Sequence, residues 1–249
     1  SSRRRHTRYP LVTGVQTCAL PISIASVAAL AESRGLLCHV DACMGGVTLH
    51  FMRRAGEVVP VWNFAARGVT SMSVDLHKYG YSAKGASVIV YRDRTLRSLQ
   101  TFVTDDWLGG LYGSSGILGT KSGGPFAAAW AVLRYVGDDG FTELTRRARR
   151  TALRLADAVA AIPDLDLRAR PDSTLLAFGG APGVDVGGVA GRLAERGWWV
   201  DRQSPPPSLH CTVNAVHDQV IEAFIADLAD AVRSGRDASS GGGAYGTVE

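Results

Sequence analysis

Short apolar, β-branched runs alternate along this chain with segments of helical period, and that alternation fixes an α/β architecture before any motif is weighed. Ile24, Val27, Leu30 and Ala31 fall on one face of a helix that stops at Gly35. Residues 36–40 then form an apolar strand that ends in Asp41. Over 69–74, Ser71 and Ser73 alternate with Met72 and Val74, the pattern of a strand with one buried face. Residues 86–91 are rich in β-branched side chains and predict a further strand. A helix is predicted over 124–136, and Asp139 is expected to cap a longer one that turns Phe141, Leu144, Ala148, Leu155, Ala156 and Val159 inward. Beyond Pro163 the spacing predicts strands at 174–178, 198–200 and 209–213, with helices at 185–196 and 217–233. The expected organisation is a larger domain over 23–137 and a smaller α/β domain over 138–234, with the break near residues 137–140. A flexible Gly/Ser-rich tail is expected over 235–249.

Residues 1–22, SSRRRHTRYPLVTGVQTCALPI, do not blend with the rest of the chain. Arg3, Arg4, Arg5 and Arg8 sit there without one acidic residue, and Thr13, Gly14, Gln16 and Thr17 interrupt any apolar run a signal peptide would need. The string resembles translated sequencing adapter, so it is expected to be non-native, with the true start of the polypeptide upstream of it. Its removal changes the charge balance. The chain carries 27 basic and 23 acidic residues, a net +4; without those four arginines the count is 23 against 23. The basic excess that would point to nucleic acid thus comes from the suspect segment alone, and a nucleic-acid partner is not expected.

Counted over the chain, 46% of residues are hydrophobic and 20% charged, the balance of a soluble globular protein. No apolar run of about 18 residues predicts a membrane span. Of four cysteines, Cys18 lies in the suspect segment; Cys38, Cys43 and Cys211 lack metal-binding spacing and read as reduced thiols of a cytoplasmic protein. No metal site is expected.

Lysine usage carries the first chemical clue. The chain has 24 arginines but only three lysines, Lys78, Lys84 and Lys121, clustered within 44 residues. Arginine does not lose its proton in a protein, whereas a partly buried lysine can, and only a neutral amine attacks a carbonyl carbon. Lys78 directly follows a predicted strand, and Asp41 ends another; reactive groups of open α/β sheets lie just beyond the carboxyl ends of strands. A lysine and a carboxylate so placed are the two groups pyridoxal phosphate requires, one to hold its aldehyde and one to keep its ring nitrogen protonated. A nucleotide-binding reading of 116–122 fails because Thr120 separates Gly119 from Lys121, and the Gly-Lys-Ser/Thr adjacency of a P-loop is missing.

With these residues in place, a family resemblance becomes specific. The stretches HVDACMGG (39–46) and SVDLHKYGYSAKG (73–85) resemble sphingosine-1-phosphate lyases, within the group II decarboxylase family of fold-type I pyridoxal-phosphate enzymes. The likeness continues through TDDWLGGLY (104–112), GTKSGG (119–124), RGW (196–198), PPSLH (206–210) and GAYG (243–246). The resemblance implies the C-terminal part of a fold-type I enzyme, aspartate aminotransferase-like, with a truncated large domain and a small α/β domain. It implies pyridoxal 5'-phosphate as cofactor, carried by Lys78 as a Schiff base, with Asp41 at the ring nitrogen and Ala42 packed against the ring. It further implies that His77 holds the cofactor phosphate, that Lys84 is a second active-site cation, and that Gly119 and Thr120 reach a partner's cofactor phosphate in a homodimer. Two departures bear on substrate choice: Lys121 and Ser122 replace an Arg-Pro pair, and Leu76 stands in place of threonine.

The expected reaction breaks a bond to the Cα of an amine substrate. In the lyase reading, a phosphorylated long-chain amino alcohol gives an aldehyde and phosphoethanolamine; in the alternative, an amino acid loses carbon dioxide. Lys78 and Asp41 serve both. The phosphate-binding loop and ring platform of a fold-type I enzyme are not found before Asp41, so the chain is also expected to be a fragment without activity of its own.

Overall fold

The computed structural model describes residues 23–116 and 119–234; the expectations for 1–22 and 235–249 fall outside them. The chain divides into two compact units at Arg146/Arg147.

In the first unit, Ser23 caps helix α1 (Ile24–Ser33) by accepting from the Ser26 N–H at 3.2 Å, and Gly35, with φ +63°, turns the chain out of it. Strand β1 (His39–Asp41) leads into α2 (Gly45–Arg54). Strands β2 (Ser71–Asp75) and β3 (Ser87–Tyr91) complete a three-stranded sheet in the order β1-β2-β3, the first pair parallel and the second antiparallel. A short helix α3 (Arg94–Ser98), a hairpin of β4 (Phe102–Thr104) and β5 (Tyr112–Ser114), and the start of α4 (Gly124–Ala161) come next. The register sets His39, Asp41, Ser71, Ser73, Asp75 and Ser87 on one face of the sheet. The other face turns Val40 and Met72 into a cluster with Ala28, Cys38, Ala42, Ala66 and Val69. One face is therefore packed; the other is polar on β1 and β2 and carries Ile89 and Tyr91 on β3.

The first strand is shorter than the apolar run predicts. Thr70 takes over the ladder at Cys38: its hydroxyl accepts from the Cys38 N–H and donates to the Cys38 carbonyl, so regular pairing starts at His39. Leu36 and Leu37 are left exposed. The long helix also differs from expectation. It breaks at Gly137 (φ 62°, ψ 176°), and Asp139 lies inside the segment beyond the break, 3.9 Å from the Arg54 guanidinium, rather than capping it.

In the second unit, α4 packs with β6 (Leu165–Leu167), β7 (Leu175–Gly180), α5 (Val186–Glu195), β8 (Asp201–Gln203), β9 (Ser208–Thr212) and α6 (Ile221–Arg233). The sheet order is β6-β7-β9-β8, antiparallel throughout, and its core gathers Leu155, Val159, Phe178, Leu193, Leu209 and Leu228. The strand expected at 198–200 lies three residues later, because 196–198 are spent closing α5: the Gly197 and Trp198 N–H groups bond back to Ala194 and Leu193. Asn214 caps a 3-10 turn (Ala215–Gln219), which delays the last helix to Ile221. Among the described residues no helix is long and apolar enough to cross a membrane.

Candidate active site

Parallel pairing of β1 with β2 puts Asp41 opposite Ser73, and the chain then delivers Lys78 three residues past the end of β2. The turn between is tightly drawn. The N–H groups of Leu76 and His77 and the Nδ1 of His77 all converge on the Ala86 carbonyl, at 2.9, 3.2 and 2.9 Å. Since that acceptor is a carbonyl, Nδ1 of His77 carries the proton. Gly80 lies so close under this turn that a Cβ there would stand 2.4 Å from the Leu76 carbonyl oxygen. The folded-back turn brings Nζ of Lys78 to 2.8 Å from Oδ2 of Asp75. Ser87, opposite Asp75 on β3, donates to the other carboxylate oxygen, Oδ1, at 2.5 Å.

Asp41 is built into a second group on the same face. Its Oδ1 accepts from the Cys43 N–H and from the Ser73 hydroxyl, both at 3.1 Å. Ser73 in turn lies 3.5 Å from the Cys43 sulfur and 3.3 Å from Nε2 of His39, whose Nδ1 is 2.8 Å from the Ser71 hydroxyl. Behind them, Ala42 is buried, its N–H donating to the Ser73 carbonyl at 2.9 Å and its methyl among the apolar residues that back the sheet.

The charges form one set. Burial pushes the Asp41 carboxyl up, but hydrogen bonds from Cys43 and Ser73 and the Lys78 charge outweigh it and hold it below its ordinary value. Asp75 is likewise pushed up by burial and pulled further down by the Lys78 hydrogen bond, Ser87 and the Lys78 charge. Burial lowers Lys78, while the Asp75 bond and charge, with Cys43 and Asp41 behind them, raise it above an ordinary lysine. Burial first, then the Asp41 carboxylate, pushes the Cys43 thiol up to about 11. Two ionised carboxylates thus share one lysine on an open polar face.

Of the residues expected at the site, Lys78, Asp41, Ala42 and His77 gather around the ends of β1 and β2. Lys84 is exposed and makes no ion pair among the described residues. Gly119 and Thr120 are exposed in the loop after β5, where the Gly119 N–H bonds to the Gly116 carbonyl and its φ is +64°. Sequence reasoning assigns no role to Asp75, Ser73 or Ser87. The signal for two of them is present in the sequence: Ser73 and Asp75 alternate onto the face that Asp41 shares.

A primary amine and an ionised carboxylate on one open face fit the two polar demands of pyridoxal phosphate, an amine for its aldehyde and an anion for its ring N–H.

No family model matches the chain. Over 205 residues it is 37% identical to the sphingosine-1-phosphate lyase of Arabidopsis thaliana, covering 82% of this chain and 38% of that one. A probable L-tyrosine/L-aspartate decarboxylase of Methanothermobacter thermautotrophicus is 31% identical, with 76% of this chain and 52% of the relative covered. In three dimensions the sphingosine-1-phosphate lyase of Burkholderia pseudomallei superposes with a TM-score of 0.81 at 38% identity, over 86% of this chain and 49% of that one. The chain therefore spans only 38% to 52% of the length of these relatives. Its mixed α/β architecture is the one found in fold-type I pyridoxal-phosphate enzymes. Over most of its own length the chain is thus similar to sphingosine-1-phosphate lyases and, at lower identity, to a decarboxylase.

Proposed function

We propose that the protein containing this chain is a pyridoxal-phosphate-dependent carbon–carbon lyase that cleaves a phosphorylated long-chain amino alcohol to an aldehyde and phosphoethanolamine. The observation that supports the cofactor role is the placement of Lys78 and Asp41 close enough for each charge to act on the other, and the choice of a lyase rests on the higher identity to sphingosine-1-phosphate lyases. When bound, the cofactor supplies an aldehyde for amines and a ring that accepts the electron pair left as a bond to the substrate Cα breaks. Lys78 offers the amine that anchors it. Asp41, kept ionised by Cys43 and Ser73, holds a proton at the ring nitrogen. Ala42 backs the site from the packed side of the sheet, and His77, its ring fixed by the Ala86 carbonyl, is placed to steady the cofactor phosphate. Lys84 is the second cation, free to meet an anionic substrate group. Gly119 and Thr120 belong to a loop that serves the partner's cofactor in a homodimer. A cytoplasmic setting agrees with the unpaired thiols Cys38, Cys43 and Cys211.

Decarboxylation is the second reading, favoured by the archaeal decarboxylase relative. In a full-length protein carrying this sequence, Lys78→Arg should abolish both the absorbance of bound cofactor and turnover, because arginine supplies no neutral amine. Lys84→Arg should keep the absorbance and lower turnover. Assayed with both substrate classes, release of aldehyde supports the lyase; carbon dioxide without aldehyde overturns it in favour of the decarboxylase.

A further inference from the structure

An amine that must attack a carbonyl carbon has to be neutral, yet Lys78 is held by a carboxylate. Asp75 grips Nζ at 2.8 Å and cannot easily turn away, since Ser87 binds its other oxygen at 2.5 Å and its side chain is only 12% exposed. The geometry points to Asp75 as a positioning residue that clamps the Lys78 ammonium to the end of β2, so that the ion pair must open before the amine can react. The inference rests on Lys78 as the reacting amine.

Burial favours the neutral amine, but the groups around the clamp outweigh it and favour the charged form. Asp75 acts on Lys78 directly, and Cys43 and Asp41 act on it from β1 and the turn beyond it. Nε2 of His77 lies 3.8 Å from the same Asp75 oxygen that holds the lysine. Opening the pair would draw the Lys78 charge away from Asp75, and that charge also helps hold down the Asp41 carboxyl. The clamp therefore restrains the idle amine beside two carboxylates, and a positively charged group arriving at Asp41 would weaken the reason for Lys78 to stay.

With only three lysines in the chain, each can be followed separately. The cofactor-free protein would be labelled with acetic anhydride from neutral pH to about 11, spanning the ordinary lysine value of about 10.4, and mapped by peptide mass. The expected result is that Lys78 becomes reactive at higher pH than the amine of N-acetyl-lysine labelled in the same tube. In Asp75→Asn its profile should move to lower pH, with labelling at a fixed pH about two- to fivefold faster, as loss of a part-exposed ion pair allows. Lys84 and Lys121 should keep their profiles. A Lys78 profile unmoved by Asp75→Asn, or all three moving together, would overturn the clamp. So would wild-type Lys78 reacting at lower pH than the free amine, a result that needs no variant to fold. No cofactor takes part, so the clamp can fail while the cofactor role of Lys78 stands, and the Lys78→Arg absorbance test can fail while the clamp stands.

Discussion

Ser73 does more than its one hydroxyl suggests: it donates to Asp41 while lying within reach of Cys43 and His39. Neighbouring Asp75 gives the clearest pH consequence. Its carboxyl is held below the ordinary value of about 3.9, so the stability it contributes is present above that pH and fades as pH falls through the folded-state value. Lys78 is raised above about 10.4, so the same pair contributes below that pH and fades as pH rises through its folded value. These are two views of one interaction, and at 37% exposure of Lys78 it is worth no more than about 1 kcal/mol. Thermal melts of wild type and Asp75→Asn should differ most between those two limits and converge on either side. A difference that stays constant as the pH falls through the folded-state value of the carboxyl would contradict this. At this scale Lys78 and Asp41 are legible in the sequence, because lysine is scarce and both stand at predicted strand ends. The clamp is hidden there because it needs the chain to fold back on itself and needs the register that sets Ser87 opposite Asp75.

Elements of strong period are legible, and those defined by close approach are not. Helix α2 is hard to read because it opens with Gly45-Gly46, poor helix formers. The structure shows why glycine is there: a Cβ on Gly46 would stand 2.8 Å from the Val74 side chain, so the helix after Asp41 can lie directly against β2. The short strands β4, β5 and β6, three residues each, leave no readable period. Strand β8 is displaced because helix closure claims the residues before it. The turn after Lys78 is the element most exposed to a small change. Gly80→Ala would press a methyl into the Leu76 backbone, and a cost of roughly 1–3 kcal/mol is expected, the range for forced overpacking. Chemical denaturation should show a lowered midpoint; an unchanged midpoint would mean that the turn relaxes freely and does not fix Lys78.

At the scale of the molecule, alternation of period is enough to read an α/β chain with two cores. The expected break near 137–140 has a counterpart in the non-helical Gly137, while the compact units divide at Arg146/Arg147, inside α4. That position is invisible in the sequence because Leu155 and Val159 are set by tertiary packing against β7, not by a change in helical pattern. The strand that seats Ser87 behind the clamp has a further consequence. With the order β1-β2-β3, β3 forms an edge among the described residues, and its sequence Ser87-Val88-Ile89-Val90-Tyr91 has no charge, no proline and three β-branched residues in a row, with Ile89 and Val90 partly open to solvent. Such a row of unpaired backbone groups is a template on which a second copy can add its own strand, the seed of an aggregate. Purified at rising concentration, this chain should scatter light increasingly, and Ile89→Lys, a charge set on that edge, should suppress the rise; equal scattering from both proteins would show that the assembly grows from some other surface.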